Sequence, residues 1–257
     1  MGANVSSSRI LISSVILILV LSTLSGIFTQ NQHLEATDSI VDEDSFRSYF
    51  TSKNSNDWSA SGSASNPVIA SAVDTSSNNE IVVAGVISGS TTMSMGSASI
   101  TSGQYVEPWI AKADSNGNWQ WIEKVSIIGT SQYAEASITD VAVAPNGDIF
   151  ATGMFYDSVS FGSITLTSTG YWDCWTAKLS SSGQWQWAQA LRGDGDYDGV
   201  TVTTLDVVYG TSIAVDSNSN PIVGGFFLGN TDVGVAADTG AQNGDDIEIF
   251  VACLLYT

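Results

Sequence analysis

An internal repeat constrains this chain more than any other feature. The stretch WIAKADSNGNWQW at residues 109–121 recurs as WTAKLSSSGQWQW at residues 175–187, an offset of 66 residues. A second shared block precedes each copy and occurs three times, at residues 69–85, 138–153 and 213–225. Recurrence at this period is typical of folds that stack one supersecondary unit many times. We therefore expect three units, at about 69–127, 138–192 and 211–257.

Each unit divides into four strand candidates, A to D, with an extra extended segment between B and C. Turn residues that tolerate positive φ separate them: Asn146-Gly147 joins A to B, while Asn116-Gly117 and Ser182-Gly183 join C to D. In the middle unit the four strands are expected at 138–144, 148–155, 173–180 and 184–191. The sequence predicts an all-β, β-propeller-like arc of about three four-stranded blades.

Strand D carries a repeated tryptophan pair. Alternation along a strand places Trp119 with Trp121, and Trp185 with Trp187, on one face. Because the pair recurs in successive units, we expect it to pack between neighbouring blades. The alternative is a platform on which sugar rings stack.

These motifs resemble the secreted prokaryotic SBBP-type β-propeller repeat proteins. The resemblance covers about residue 69 to the C-terminus and implies a fold and an extracellular setting, with no single activity. The resemblance implies recurring structural positions in strand C and in the turn that follows it. In strand C these are Asp173 at its start and the lysines Lys112 and Lys178, and in the C–D turn they are Gly117 and Gly183. The third unit departs from the pattern with Cys253 at the lysine position.

The two ends of the repeat region are unequal. The third unit stops at Thr257 without a strand D, while Trp58 precedes the first strand A like an orphan strand D. Either the N-terminal strand completes the last blade and closes a ring, or the chain is a piece of a longer protein. Propellers have about 4 to 8 blades. We therefore expect an incomplete ring and a truncated chain.

The N-terminus indicates export. Arg9 precedes an apolar run from Ile10 to Leu24, followed by the small residues Ser25 and Gly26. We assign 1–28 to a signal peptide or N-terminal membrane anchor, 29–57 to a polar acidic linker and 58–257 to the repeat domain. The protein is expected to be secreted or at the cell surface, with any membrane attachment made through the N-terminal segment alone.

Charge and histidine content narrow the function. With 7 basic and 26 acidic residues the net charge is −19, which argues against nucleic-acid binding. The single histidine, His33, lies in the expected linker, so Ser-His-Asp catalysis and histidine metal sites are excluded from the folded part. No catalytic residue is assigned. Paired carboxylates remain open as an enzymatic alternative.

One acidic loop resembles the first half of a calcium site. Alternating aspartates followed by Gly199 offer oxygen ligands at calcium-loop spacing: Asp194, Asp196 and Asp198. The twelfth position from Asp194 is Leu205 instead of a bidentate glutamate, so a solvated acidic loop is the alternative reading. Two cysteines, Cys174 and Cys253, allow one disulfide, but they do not occupy equivalent repeat positions.

The leading functional hypothesis is an exported, non-enzymatic scaffold for interaction or adhesion, with a protein or glycan ligand and calcium as a possible stabilising ion. The alternative is a carbohydrate-binding or carboxylate-based carbohydrate-active protein that uses aromatic residues in its loops: Tyr156, Tyr171, Trp172 and Tyr197. A third hypothesis is that the chain only assembles, as part of a larger envelope structure.

Overall fold

The computed structural model describes residues 60–169, 171–193, 207–228, 231–232 and 247–254. They all belong to the compact unit Asp57–Thr257. The described residues form antiparallel strands and turns and contain no helix, so the protein is all-β. None of the described segments is a helix with the length and apolar character that a membrane crossing requires. The expected signal segment and linker lie outside the described residues.

Unit 1 is a four-stranded antiparallel sheet with a short second sheet beside it. Its strands in chain order are β1 Ser63–Ala64, β2 Ile69–Thr75, β3 Ile81–Ile87, β4 Thr92–Met95, β5 Ala98–Thr101, β6 Glu107–Ala113 and β7 Trp119–Lys124. The main sheet has the order β2-β3-β6-β7, which corresponds to A to D. The hairpin β4–β5 occupies the expected extra segment between B and C, and β1 pairs with β4.

Unit 2 repeats this plan. Its strands are β8 Ser126–Ile127, β9 Glu135–Val143, β10 Ile149–Tyr156, β11 Ser158–Phe161, β12 Ile164–Thr167, β13 Asp173–Leu179 and β14 Trp185–Gly193. The main sheet runs β9-β10-β13-β14, and β8 pairs with the hairpin β11–β12. Strand A begins at Glu135, three residues earlier than expected, and strand D continues to Gly193, because its end pairs with the following unit.

Unit 3 is a sheet of three described strands. It contains β15 Val207–Val215, β16 Pro221–Leu228 and β18 Glu248–Cys253, in the order β15-β16-β18, and β17 Thr231–Asp232 pairs with the end of β14. By register Phe250 lies opposite Gly225, as Trp109 lies opposite Gly85 and Trp175 opposite Gly153. Strand β18 is therefore strand C of this unit.

A strand crossover with a constant register links each unit to the next. The segment that follows strand D of unit 1 pairs Ser126 with Ser160 in the hairpin of unit 2. The end of β14 pairs Arg192 with Asp232 of unit 3 in the same way, and β1 pairs Ser63 with Ser94 of unit 1. Ser63, Ser126 and Arg192 each stand five residues after a tryptophan, namely Trp58, Trp121 and Trp187.

A β-bulge in each strand A makes a second repeated link. The bulge residue of unit 1, Ser71, donates its hydroxyl to the Ile138 carbonyl of unit 2 at 3.1 Å. The bulge residue of unit 2, Thr139, donates to the Gly210 carbonyl of unit 3 at 2.6 Å. Apolar clusters fill both junctions: Ile110 packs with Ile138 at the first, and Cys174 packs with Val208 at the second. The units therefore associate by one recurring set of contacts.

Candidate functional site

The recurring lysines serve the units themselves. Lys112 Nζ lies 2.9 Å from Glu80 Oε1 and donates to the Ser181 carbonyl of the next unit at 3.2 Å. Lys178 Nζ lies 2.6 Å from Asp148 Oδ2. In both units this ion pair joins strand C to the turn between strands A and B, so the recurring lysines stabilise the sheet of their own unit.

The two tryptophans of each pair contact different elements. Trp121 donates its indole N–H to the Ser181 carbonyl at 3.2 Å, and it lies so close to Gly183 that an added Cβ there would be 2.8 Å from the ring. Gly183 and Gly117 both have a φ of 83°, which also favours glycine at this turn. Trp187 packs on the cluster between units 2 and 3.

The first tryptophan of each pair lies against the hairpin of its own unit or the segment before it. Trp185 contacts Phe161 of β11 edge to face, with ring centroids 5.0 Å apart. Trp119 donates its indole N–H to the Ser61 carbonyl at 3.1 Å. The first ring of each pair therefore packs within its own unit or on the segment before it. The second ring, that of Trp121 or Trp187, packs against the next unit.

In units 1 and 2 a buried carboxylate at the start of strand C binds the backbone where strand D leaves for the next unit. Asp173 accepts the Thr169 N–H at 2.8 Å and the Gly193 N–H at 3.2 Å. Glu107, its equivalent in unit 1, accepts the N–H groups four residues before it and twenty residues after it, both at 3.0 Å. Asp173 is 0% exposed and Glu107 is 2% exposed. These carboxylates satisfy buried backbone donors, which is a structural task.

Five aromatic rings form a row at the junction of units 2 and 3, which we call the aromatic ridge. Tyr209 stacks on Phe226 with centroids 4.8 Å apart, and Trp172 lies nearly parallel to Tyr209 at 6.3 Å. Tyr171 contacts Trp172 at 5.9 Å, and Tyr156 contacts Tyr171 at 5.5 Å. Trp172 is buried, whereas the other four rings are half-buried and present part of their surface to solvent.

The repeat packing does not require this ridge. The same backbone hydrogen bond joins the units at both junctions, from the Ala136 N–H to the Val106 carbonyl and from the Val208 N–H to the Trp172 carbonyl. Val106 and Ser137 therefore hold the positions of Trp172 and Tyr209 at the first junction. The rings of Trp172 and Tyr209 are therefore specific to the second junction.

One carboxyl group lies beside the ridge. The β9–β10 register places Glu135 opposite Tyr156. Burial raises the pKa of Glu135 above its ordinary value. Burial also raises the pKa of Tyr209 to about 12, with smaller contributions from the charges of Glu135 and Tyr171. The site therefore combines apolar ring faces, phenol hydroxyls, of which that of Tyr209 stays protonated at neutral pH, and the Glu135 carboxyl group.

Three of the five ridge residues were expected from the sequence to contact a ligand, and two were not. Tyr156, Tyr171 and Trp172 were expected in loops, and the structure brings them together. Tyr209 and Phe226 lie within strands, where their residue type reads as ordinary strand composition. Comparing the units position by position would have found them, because the equivalents of Tyr209 in the other units are Ile69 and Ser137.

The expected calcium ligands Asp194, Asp196 and Asp198, together with Tyr197, lie outside the described residues. Within the described part of the chain, no group of three or more His, Cys, Asp or Glu side chains is arranged to hold a metal ion. The thiols of Cys174 and Cys253 are free, the first buried and the second exposed. Burial raises the pKa of Cys174 to about 11, so this thiol is unreactive at neutral pH.

No family model matches the chain, and no curated protein does. The functional argument therefore depends on the site itself.

Proposed function

We propose that the three units are blades of a β-propeller and that the chain is an exported, non-enzymatic scaffold for interaction or adhesion. The aromatic ridge is its ligand-contacting surface. The observation that carries this proposal is the row of five rings at one junction, four of them half-buried, whereas the equivalent junction has Val106 and Ser137 at the positions of Trp172 and Tyr209. Aromatic surface that packing does not need is a recurrent feature of binding sites.

The repeated junction supports the blade arrangement. The bulge hydroxyls of units 1 and 2 donate to strand A of the next unit, and strand D of each of these two units leads into the hairpin region of the next. Radial repetition of four-stranded sheets gives such contacts between neighbouring blades. The N-terminal apolar segment and the net charge of −19 are consistent with a soluble, exported protein.

A carbohydrate is the ligand class that the ridge fits best. Rigid rings with a polar tip supply contact area at low entropic cost, and their hydroxyl groups can bond to a polar ligand. Tyr156, Tyr171 and Tyr209 provide such rings, and Glu135 adds a hydrogen-bonding carboxyl. Hydrolysis is the second candidate. It would require another carboxylate about 5–10 Å from Glu135.

Isothermal titration calorimetry tests whether the ridge binds a carbohydrate. The oligosaccharides titrated into the protein are cellohexaose, xylohexaose, laminarihexaose and chitohexaose. We expect at least one oligosaccharide to bind, and Tyr171→Ala to weaken its binding at least about tenfold, because a contact of about 1.4 kcal/mol changes a binding constant by that factor. Tyr133→Ala is the matched control, since Tyr133 is 65% exposed and outside the ridge. Equal binding by the wild type and Tyr171→Ala would refute the ridge as the binding surface.

The same samples separate binding from hydrolysis. Release of reducing ends from a bound oligosaccharide, lost in Glu135→Gln, would support the enzyme instead of the scaffold. Binding without release, retained in Glu135→Gln, would support the scaffold. Calcium enters this proposal as a stabilising ion only, through the loop that contains Asp194, Asp196 and Asp198.

A further inference from the structure

The carboxyl group beside the aromatic ridge has no described partner that neutralises its charge. Glu135 is half-buried, and none of the hydrogen bonds and ion pairs between described residues reaches its carboxyl oxygens. The described lysines pair with other acids: Lys112 with Glu80, Lys124 with Glu107 and Lys178 with Asp148. A half-buried carboxylate without a partner opposes folding, and such groups are typical of functional sites, where a ligand supplies the missing charge.

The shared packing of the units does not need this carboxyl group. Glu135 stands four residues before the bulge residue of its strand A, and the same position is Pro67 in unit 1 and Val207 in unit 3. Tyr156, which lies opposite Glu135, is matched in unit 3 by Leu228 opposite Val207. The pair of a carboxyl and a phenol therefore belongs to unit 2 alone and lies outside the recurring contacts.

Three phenol rings lie around the Glu135 carboxyl group. Glu135 and Tyr156 are directly opposite in their strands, which places their Cβ atoms about 4.5–5.5 Å apart on one face of the sheet. The ring of Tyr171 contacts that of Tyr156, with centroids 5.5 Å apart. Burial raises the pKa of Tyr209 to about 12 and the charge of Glu135 adds to this shift, so the carboxyl lies within electrostatic range of that phenol.

Aromatic ring faces beside a carboxylate match the chemistry of an ammonium group. The face of a tyrosine or tryptophan ring attracts a cation that lies within about 6 Å of its centroid. A carboxylate adds the opposite charge and accepts the N–H groups in short, strong hydrogen bonds. An anionic ligand would instead be repelled by Glu135 and by the net charge of −19. A neutral ligand would leave the charge of Glu135 without a counterpart.

We propose that the ligand of the aromatic ridge is a glycan whose sugars carry a free, protonated amino group, and that Glu135 selects it. This inference rests on the proposed function, because it takes the ridge as the glycan-binding surface. The ammonium group lies against the Glu135 carboxylate, and the sugar rings contact the solvent-facing parts of the tyrosines. A bound cation favours the ionised form of Glu135, so binding removes the disadvantage that burial imposes on this carboxylate.

Two hexasaccharides that differ only in their acetyl groups test this selection by isothermal titration calorimetry. They are chitohexaose and its fully deacetylated form, the glucosamine hexamer. At about pH 6.5 most of the amines are protonated, since comparable amino groups titrate at about 7.7–8.0. Salt at about 0.15 M screens the general attraction of a cation to an acidic surface. The wild type should bind the glucosamine hexamer at least about tenfold more tightly than chitohexaose.

The variant Glu135→Gln keeps the shape of the side chain and removes its charge. It should lower the affinity for the glucosamine hexamer at least about tenfold and abolish the preference over chitohexaose. Unfolding does not account for such a loss, because removing an unpartnered carboxylate stabilises the fold, and a thermal unfolding scan of the variant checks this. Equal affinity of the wild type for the two hexamers would overturn the proposal.

Glu123→Gln is the matched control. Glu123 is also half-buried, and burial raises its pKa too, but it lies on β7 opposite Ile110, outside the ridge. This variant removes the same charge from the protein and should bind the glucosamine hexamer as the wild type does. An equal loss of affinity in Glu123→Gln and Glu135→Gln would show general attraction to the acidic surface and would overturn the selection by Glu135.

Tyr171→Ala separates this inference from the proposed function. If Tyr171→Ala weakens binding but the wild type does not prefer the glucosamine hexamer, the ridge binds glycans and the selection by Glu135 is refuted. If Tyr171→Ala binds both hexamers as the wild type does, the ridge is not the binding surface, and the proposed function and the inference are refuted together. Weaker binding in Tyr171→Ala, combined with a preference that Glu135→Gln abolishes, supports both.

Discussion

Replacing the buried carboxylate Asp173 with alanine should destabilise the protein strongly. Asp173 is 0% exposed and accepts the backbone N–H groups of Thr169 and Gly193 at 2.8 and 3.2 Å. The first contact fixes the loop before strand C, and the second fixes the end of strand D where it leaves for the next unit. Alanine leaves both donors without their acceptor.

The size of the effect follows from those two bonds. A buried donor left unsatisfied costs about 1–3 kcal/mol, and bonds to charged acceptors lie at the upper end, so we expect a loss of about 3–5 kcal/mol in the free energy of unfolding. For a chain of this length that corresponds to a decrease in Tm of roughly 10 °C. Urea unfolding followed by tryptophan fluorescence, together with calorimetry, measures both quantities.

Asp114 offers a matched control. It also accepts two backbone N–H groups, from Asn116 and Asn118, both at 2.9 Å, but in a solvent-exposed turn. Water can replace the carboxylate there, so Asp114→Ala should lose clearly less stability than Asp173→Ala. If the two variants lose the same amount, burial is not what makes the Asp173 contacts important, and the reasoning is refuted.

Three further predictions concern titration, thiol reactivity and calcium. The folded-state pKa of Glu135 lies above its ordinary value of 4.5, so its ionisation opposes folding and stability falls as the pH rises through that range. Glu135→Gln should therefore be more stable than the wild type at pH 7 in urea titrations, and the advantage should vanish below about pH 4.5. In a Cys253→Ser variant, the remaining thiol of Cys174 should react with Ellman's reagent at pH 8 only after denaturation, because it is buried. Millimolar calcium should raise the Tm of the wild type by several degrees relative to a sample with chelator. This gain should disappear when Asp194, Asp196 and Asp198 are all replaced by alanine. No gain in the wild type would refute the calcium site.

The repeat made much of the architecture predictable, because local signals mark each strand boundary. Glycine turns such as Asn116-Gly117 and the alternation of β-forming residues predicted the four main strands of units 1 and 2 and the three described strands of unit 3. The crossover of strand D into the next hairpin was not predictable. It depends on backbone pairing between Ser126 and Ser160, two polar residues with no distinguishing signal in the sequence. The stacking of Tyr209 on Phe226 likewise depends on the β15–β16 register.

The third unit shows how a recurring pattern separates structural residues from available ones. Where units 1 and 2 pair a strand C lysine with an acid at the start of strand B, unit 3 has Cys253 and Asn220. Replacing the lysine alone would leave the carboxylate without its partner, and the resulting loss of stability rises with the burial of that carboxylate. Replacing both residues together avoids this loss. The same unit contributes Tyr209 and Phe226 to the aromatic ridge and exposes Ile249 and Val251 at its outer face. Positions that recur in the units hold each unit and its junctions together, and we propose that the ridge positions at which unit 3 departs from them, such as Tyr209, are available to contact a ligand.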